Sequence, residues 1–67
     1  MKLVPRPDGA FVADVSAEEL VILNNALNEV CNGVGIAEEE FQTRLGASRA
    51  EAIAVLRVMQ RALETRS

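Results

Sequence analysis

The chain has 67 residues, of which 49% are hydrophobic, and it carries a formal net charge of −3 at pH 7. A chain of this length builds one domain, residues 1–67, and its core is small. With a single cysteine and no histidine, an intramolecular disulfide is excluded and a zinc site is not expected, so we expect self-association to supply part of the stability.

Residues 1–15 predict a short β-hairpin or an extended arm. The tripeptide Pro7-Asp8-Gly9 is typical of a turn, because proline pre-sets its own φ and glycine permits a positive φ. Apolar residues flank this turn on both sides: Leu3, Val4, Phe11, Val12 and Val15. An isolated hairpin is unstable in water, so we expect it to lie on the helices.

Prolines near the amino terminus also bear on localisation. Pro5 and Pro7 interrupt any apolar run there, so no signal peptide is indicated. No segment approaches the roughly 20 apolar residues that cross a bilayer. We therefore expect a cytoplasmic protein without a membrane partner, which suits a lone reduced cysteine.

A first helix is predicted over residues 17–31. Ser16 is its N-cap, and Glu19 completes a capping box three residues later. Asn32-Gly33 is predicted to end the helix with a left-handed residue. The helical repeat predicts one broad core face, made of Leu20, Leu23, Ala26, Leu27, Val30 and Cys31.

Four asparagines on and after this helix are unusual, because asparagine is a mediocre helix former. Asn24 and Asn28 are four residues apart and share a face. They form either a polar patch that recognises a partner's backbone, or a set of amides that ties down the hairpin or the link at residues 33–37. Asn32 is predicted to act as a cap.

Two further helices are predicted over residues 38–45 and 49–64. Gly46 ends the second helix, and Ser48 with Glu51 forms the capping box of the third. The third helix has an apolar face made of Ala52, Val55, Leu56, Met59, Ala62 and Leu63. The chain is therefore predicted to be mainly α, a three-helix bundle at residues 16–67 with an N-terminal hairpin or arm.

The segment FQTRLGASRAEAIAVL, from Phe41 to Leu56, has the outline of a helix-turn-helix. The start of its second helix offers Arg49 and Arg57 among small apolar residues, a set that can contact phosphates but hardly specifies a base sequence. An α–α corner that closes the bundle is the preferred interpretation, and a DNA-binding regulator stays as an alternative.

No catalytic site is indicated. Cys31 lies on the apolar side of the first helix, and no histidine is present to activate it. Glu38, Glu39 and Glu40 are consecutive, so their side chains point about 100° apart and cannot converge on one metal ion. We therefore predict a non-enzymatic protein with no catalytic residue, no metal and no cofactor.

Several residues exceed the needs of a small core and form a predicted partner-binding surface. They are Val21, Asn24, Asn28, Ile53, Arg57, Val58 and Arg61. The leading hypothesis is a non-catalytic protein-interaction module, a homodimer or a binder of another protein. A toxin-immunity or inhibitor protein is a further alternative, in which acidic residues of the first half cover a basic partner: Glu18, Glu29, Glu38 and Glu39.

Two segments carry a resemblance. ELVILNNALNEVCNG, from Glu19 to Gly33, and EFQTRLGASRAEA, from Glu40 to Ala52, together resemble a family of small bacterial proteins whose function is not settled. The resemblance implies a bacterial origin. It implies no activity and no partner.

Overall fold

The computed structural model describes residues 1–65 and is mainly helical, with an N-terminal two-stranded hairpin, as predicted. Strands β1 and β2 span Lys2–Pro5 and Phe11–Asp14. Helix α1 spans Ala17–Asn28 and continues as one π-helical turn, Glu29–Gly33. Helices α2 and α3 span Glu38–Leu45 and Arg49–Thr65.

The two strands form an antiparallel hairpin in the register Leu3↔Ala13 and Val4↔Val12. Its turn is closed by the Gly9 N–H, which donates to the Arg6 carbonyl at 3.1 Å, and Gly9 has the positive φ of 90° that the turn requires.

The expectation that the hairpin lies on the helices is wrong. All eight strand residues are exposed, and within residues 1–65 neither strand packs against a helix. Only Val15 and Ser16 separate β2 from α1. The amino-terminal ammonium of Met1 reaches the first turn of α1, at 2.6 Å from Glu19 Oε2.

Both predicted capping boxes are present. Ser16 Oγ accepts from the Glu19 N–H at 3.1 Å, and Glu19 Oε1 accepts from the Ser16 N–H at 2.9 Å. Ser48 and Glu51 repeat this reciprocal pattern at 3.2 Å and 3.0 Å. These side chains satisfy N–H groups that a helix start otherwise leaves without partners, which is why both helices begin where predicted.

The predicted end of α1 is wrong. The helix does not stop at a left-handed residue: among the described residues only Gly9 and Gly46 have a positive φ. The chain instead widens into the π-helical turn, and the Val34 N–H donates to the Glu29 carbonyl at 3.1 Å. A Cβ at Gly33 would meet the carboxyl carbon of Glu29 at 2.5 Å, at the end of a flexible side chain.

Asn32 is not the cap that was predicted. Its Nδ2 donates to Asn28 Oδ1 at 3.0 Å, a bond between side chains one turn apart. The Val34 N–H satisfies the Glu29 carbonyl and the Arg49 guanidinium satisfies the Cys31 carbonyl, so Asn32 caps neither of them.

The core is small and sits where the π-helical turn, α2 and α3 meet. Cys31, Phe41 and Ala52 form its buried cluster, with Phe41 fully buried. The residues that pack around it are half-buried: Leu27, Val30, Ile36 and Ile53. Gly46 closes α2 as predicted, with φ 72° and its N–H on the Gln42 carbonyl at 2.8 Å.

The predicted core faces of the two long helices are only partly covered, which corrects their interpretation. On α1, Leu23 and Ala26 are exposed; on α3, Val55 and Ala62 are exposed. Helix α2 has eight residues and, in the part of the chain that the structure describes, packs against α3 but not against α1, so it leaves one flank of the α1–α3 pair open. No helix in residues 1–65 is both long enough and apolar enough to cross a membrane.

Candidate interaction surface

The uncovered flank is an open groove between α1 and α3, with a volume of about 360 Å³. Six side chains line it, and all are apolar: Leu23, Ala26, Leu27, Val30, Leu45 and Met59. Specific small-molecule pockets normally place a few polar groups to orient a ligand. This groove offers apolar contact area and no such group among its lining residues.

The helical repeat explains how the groove is built. Leu23, Ala26 and Val30 recur at intervals of three and four residues, so they share one side of the helix. Met59 faces them from α3, where Val55 and Ala62 lie one turn to either side of it. The groove therefore continues into an exposed apolar stripe along α3.

The hairpin is the second exposed apolar surface. Alternation along the strands places Leu3, Pro5, Phe11 and Ala13 on one face, and all four are apolar. Phe11 is 64% exposed, although aromatic side chains bury more area than most others in folded proteins. In the chain as described, nothing covers this face.

The accessible surface area of the chain is larger than that of a compact monomer of the same mass. Its accessible surface is 5078 Å², whereas a compact monomer of 7.2 kDa exposes about 4,100 Å². Its radius of gyration is 13.3 Å, compared with about 11 Å for a compact domain of this length. The molecule is also thin, at 34 × 32 × 16 Å. The excess of roughly 1,000 Å² is comparable with one side of a standard protein–protein interface.

Arg49 is not the exposed cation predicted at the start of the third helix. Its side chain is only 25% exposed, and its guanidinium donates to the Cys31 and Ile36 carbonyls at 2.5 Å each. Its Nε lies 3.3 Å from Glu38 Oε2, and its guanidinium carbon lies 4.6 Å from the centroid of the Phe41 ring. Arg49 therefore joins three segments of the chain, and its donors are used internally.

The apolar candidates for partner binding differ in their surroundings. Val21 is half-buried, and Ile53 is half-buried against the core cluster. Val58 is 66% exposed, on the side of α3 that turns away from the core.

The polar candidates do not form one constellation. Asn24 is half-buried, and its Oδ1 is a buried atom with no hydrogen-bond partner within the described residues. Asn28 bonds to Asn32, so neither amide of the pair ties down the hairpin or the 33–37 link in residues 1–65. Arg57 and Arg61 are exposed, and no ion pair involves either of them in that part of the chain.

The two shifted carboxyl groups belong to the capping boxes. The pKa of Glu19 is lowered to about 2, first by the hydrogen bond from the amino-terminal ammonium and then by the Ser16 N–H. The pKa of Glu51 is lowered, first by the Ser48 N–H. Both shifts come from helix-start hydrogen bonds at the surface.

Residues 1–65 contain no cluster of three or more His, Cys, Asp or Glu side chains placed to hold a metal ion.

The groove was not predicted from the sequence, because Leu23 and Met59 were assigned to the core faces of the first and third helices. A signal for it exists in the sequence: the second helix is eight residues long and largely charged, so it cannot cover two flanks. Leu45, its last residue, is the only one of its side chains in the groove lining.

Comparisons with protein-family models, with curated proteins and with solved structures find no match for this chain.

Proposed function

We propose that the chain is a non-catalytic interaction module whose partner is a second copy of itself. The observation that carries this proposal is the excess of roughly 1,000 Å² of surface over a compact monomer. A standard interface buries about 800 Å² on each partner, so the excess matches one interface of ordinary size. We place both the groove and the hairpin in a single two-fold dimer, because the excess is sufficient for one interface and not for two.

The composition of the surface supports a protein partner. The groove and its continuation at Val55 are apolar, and burial of apolar area is the main driving force of protein association. A charged ligand would find no counter-charge in the groove lining. A regulator that reads DNA would need exposed cations at the start of α3, where Arg49 is engaged internally.

A pair of substitutions on one helix tests the role of the groove. Leu23 lines the groove, and its neighbour Ile22 is exposed outside the lining. Leu23→Glu places an unpaired carboxylate in the apolar contact and should raise the dimer dissociation constant at least ~100-fold. Ile22→Glu adds the same charge to the same helix and should change that constant less than about threefold. Sedimentation equilibrium measures both constants.

Two results would overturn the proposal. A chain that remains monomeric at every concentration would have no self-association to explain. Equal weakening by Leu23→Glu and Ile22→Glu would show that added negative charge, and not the groove, controls the association.

A further inference from the structure

The hydrogen-bond pattern of the hairpin determines which backbone groups point outward. The Arg6 N–H donates to the Ala10 carbonyl at 2.7 Å, which makes Arg6 and Ala10 a hydrogen-bonded pair. Pairs in an antiparallel ladder alternate between bonded and non-bonded. Val4 and Val12 are therefore the next bonded pair, while the pairs Leu3↔Ala13 and Pro5↔Phe11 direct their N–H and C=O groups away from the hairpin.

The two outer edges are consequently unequal. The edge of β1 presents Leu3 and Pro5, and proline has no N–H, so this edge lacks one of its two donors. The edge of β2 presents the complete N–H and C=O pairs of Phe11 and Ala13. Within residues 1–65, these outward groups bond to nothing. Natural proteins block strand edges with proline, and here only β1 is blocked.

A second copy fits the β2 edge by simple symmetry. If Val12 lies on a two-fold axis between antiparallel strands, Phe11 stands opposite the partner's Ala13, and Ala13 stands opposite the partner's Phe11. Each such pair exchanges two N–H···O=C bonds, so all four outward N–H groups of the two edges acquire acceptors. The apolar faces of the two hairpins then join into one continuous face.

We propose that two copies pair along the outer edges of β2 and form a four-stranded antiparallel sheet in the order β1–β2–β2–β1. This inference rests on the proposed self-association and names one of the surfaces through which it occurs. It also accounts for the exposed hairpin, because a two-stranded hairpin alone is marginally stable and four strands with an apolar face are not.

Amide hydrogen exchange of the unmodified chain tests the pairing residue by residue. In the dimer, the Phe11 and Ala13 amides should be protected, and the Leu3 amide, which points outward from β1, should exchange as in an open chain. Dilution below the dissociation constant should remove the protection of Phe11 and Ala13 and leave the rate of Leu3 unchanged.

Two proline variants provide a matched pair. Ala13→Pro and Leu3→Pro each remove one outward N–H, from positions that face each other in the same hairpin, and neither removes a hydrogen bond within it. Ala13→Pro should raise the dimer dissociation constant about tenfold or more, because it leaves carbonyls of the partner strand unsatisfied. Leu3→Pro should change it less than about threefold.

The outcomes separate this inference from the proposed function. A dimer in which the Phe11 and Ala13 amides exchange as fast as that of Leu3 would overturn the strand pairing and leave self-association standing. Equal effects of the two prolines would do the same. A chain that is monomeric at all concentrations would overturn both.

Discussion

The two phenylalanines of this chain lie in opposite environments. Phe41 is fully buried under the guanidinium of Arg49, whereas Phe11 on the hairpin is 64% exposed. The first belongs to a corner made by the π-helical turn, α2 and α3, where polar bonds hold three segments around a small core. The second belongs to an apolar face that nothing covers within residues 1–65.

The difference teaches which interactions decide burial in a chain this short. Apolar residues are abundant in both regions, so hydrophobicity alone does not select the core. The corner closes because Arg49 satisfies the Cys31 and Ile36 carbonyls, which would otherwise lose water on burial without gaining a partner. The hairpin has satisfied its internal bonds already, and within residues 1–65 the amino-terminal ammonium makes its one polar contact with the helices.

The largest expected effect comes from Phe41→Ala, which removes the largest side chain of the core. We expect the free energy of unfolding to fall by about 3–5 kcal/mol, enough to unfold much of a chain this size. Phe11→Ala, the same change on the hairpin, should lower it by less than about 0.5 kcal/mol in the monomer. Urea denaturation followed by circular dichroism measures both. Similar losses would contradict the division into a closed and an open region.

Arg49→Ala should have the next largest effect. It leaves two backbone carbonyls at the corner without their donor, and we expect a loss of about 2–3 kcal/mol in the free energy of unfolding. Arg49→Lys should recover only part of it, because an ammonium lacks the planar fork that reaches both carbonyls. Arg57→Ala on the exposed side of the same helix is the control, with a change within about 0.5 kcal/mol. An unchanged free energy of unfolding in Arg49→Ala would contradict the stabilising role of the hydrogen bonds from Arg49 to the two carbonyls.

Alanine substitutions at two glycines should have smaller effects on stability, and the two effects should differ. Gly46→Ala forces a left-handed φ on a side chain and should cost about 1 kcal/mol in thermal or urea unfolding. Gly33→Ala needs no positive φ, and the three atoms nearest to its Cβ all belong to the end of the flexible Glu29 side chain, so it should change stability by less than about 0.5 kcal/mol. Equal costs would mean that α1 ends in a left-handed residue after all.

The smallest effect concerns pH. The folded pKa of Glu19 is about 2, below its ordinary value of 4.5, so the unfolded chain binds the proton more readily. The stabilisation from Glu19 is therefore complete above about pH 4.5 and is lost as the pH falls towards 2. Glu19→Gln should flatten the pH dependence of the urea midpoint in that range. Acetylation of the amino terminus, which removes the largest cause of the shift, should weaken it. An unchanged pH dependence of the urea midpoint in both Glu19→Gln and the acetylated chain would contradict the assignment of this stabilisation to Glu19.

The parts of the fold that could be predicted are those that depend on near neighbours. Each capping box needs two residues three apart, and the turns at Gly9 and Gly46 need one residue type at one position, so element boundaries follow from local sequence. The open groove depends instead on how far a short second helix reaches. No local pattern encodes that distance.

Arg49 and the end of α1 are two further features that local sequence patterns did not predict. An arginine in the first turn of a helix is unfavourable for the helix dipole, which indicates that it has a specific partner. The two carbonyls that accept from Arg49 lie 18 and 13 residues away, so no local pattern identifies them. Gly33 was predicted to be left-handed from its type alone, whereas it lies in the π-helical turn and has no positive φ. A contact across the fold decided the case of Arg49, and the hydrogen bond from the Val34 N–H to the Glu29 carbonyl decided the end of α1.

The mass of the unmodified chain in solution, measured by light scattering from about 1 μM to about 1 mM, tests the central claim most directly. The open groove and exposed hairpin predict that the mass rises with concentration from 7.2 kDa to twice that value and then stops. A mass that stays at 7.2 kDa over the whole range, with the chain folded, would contradict the account.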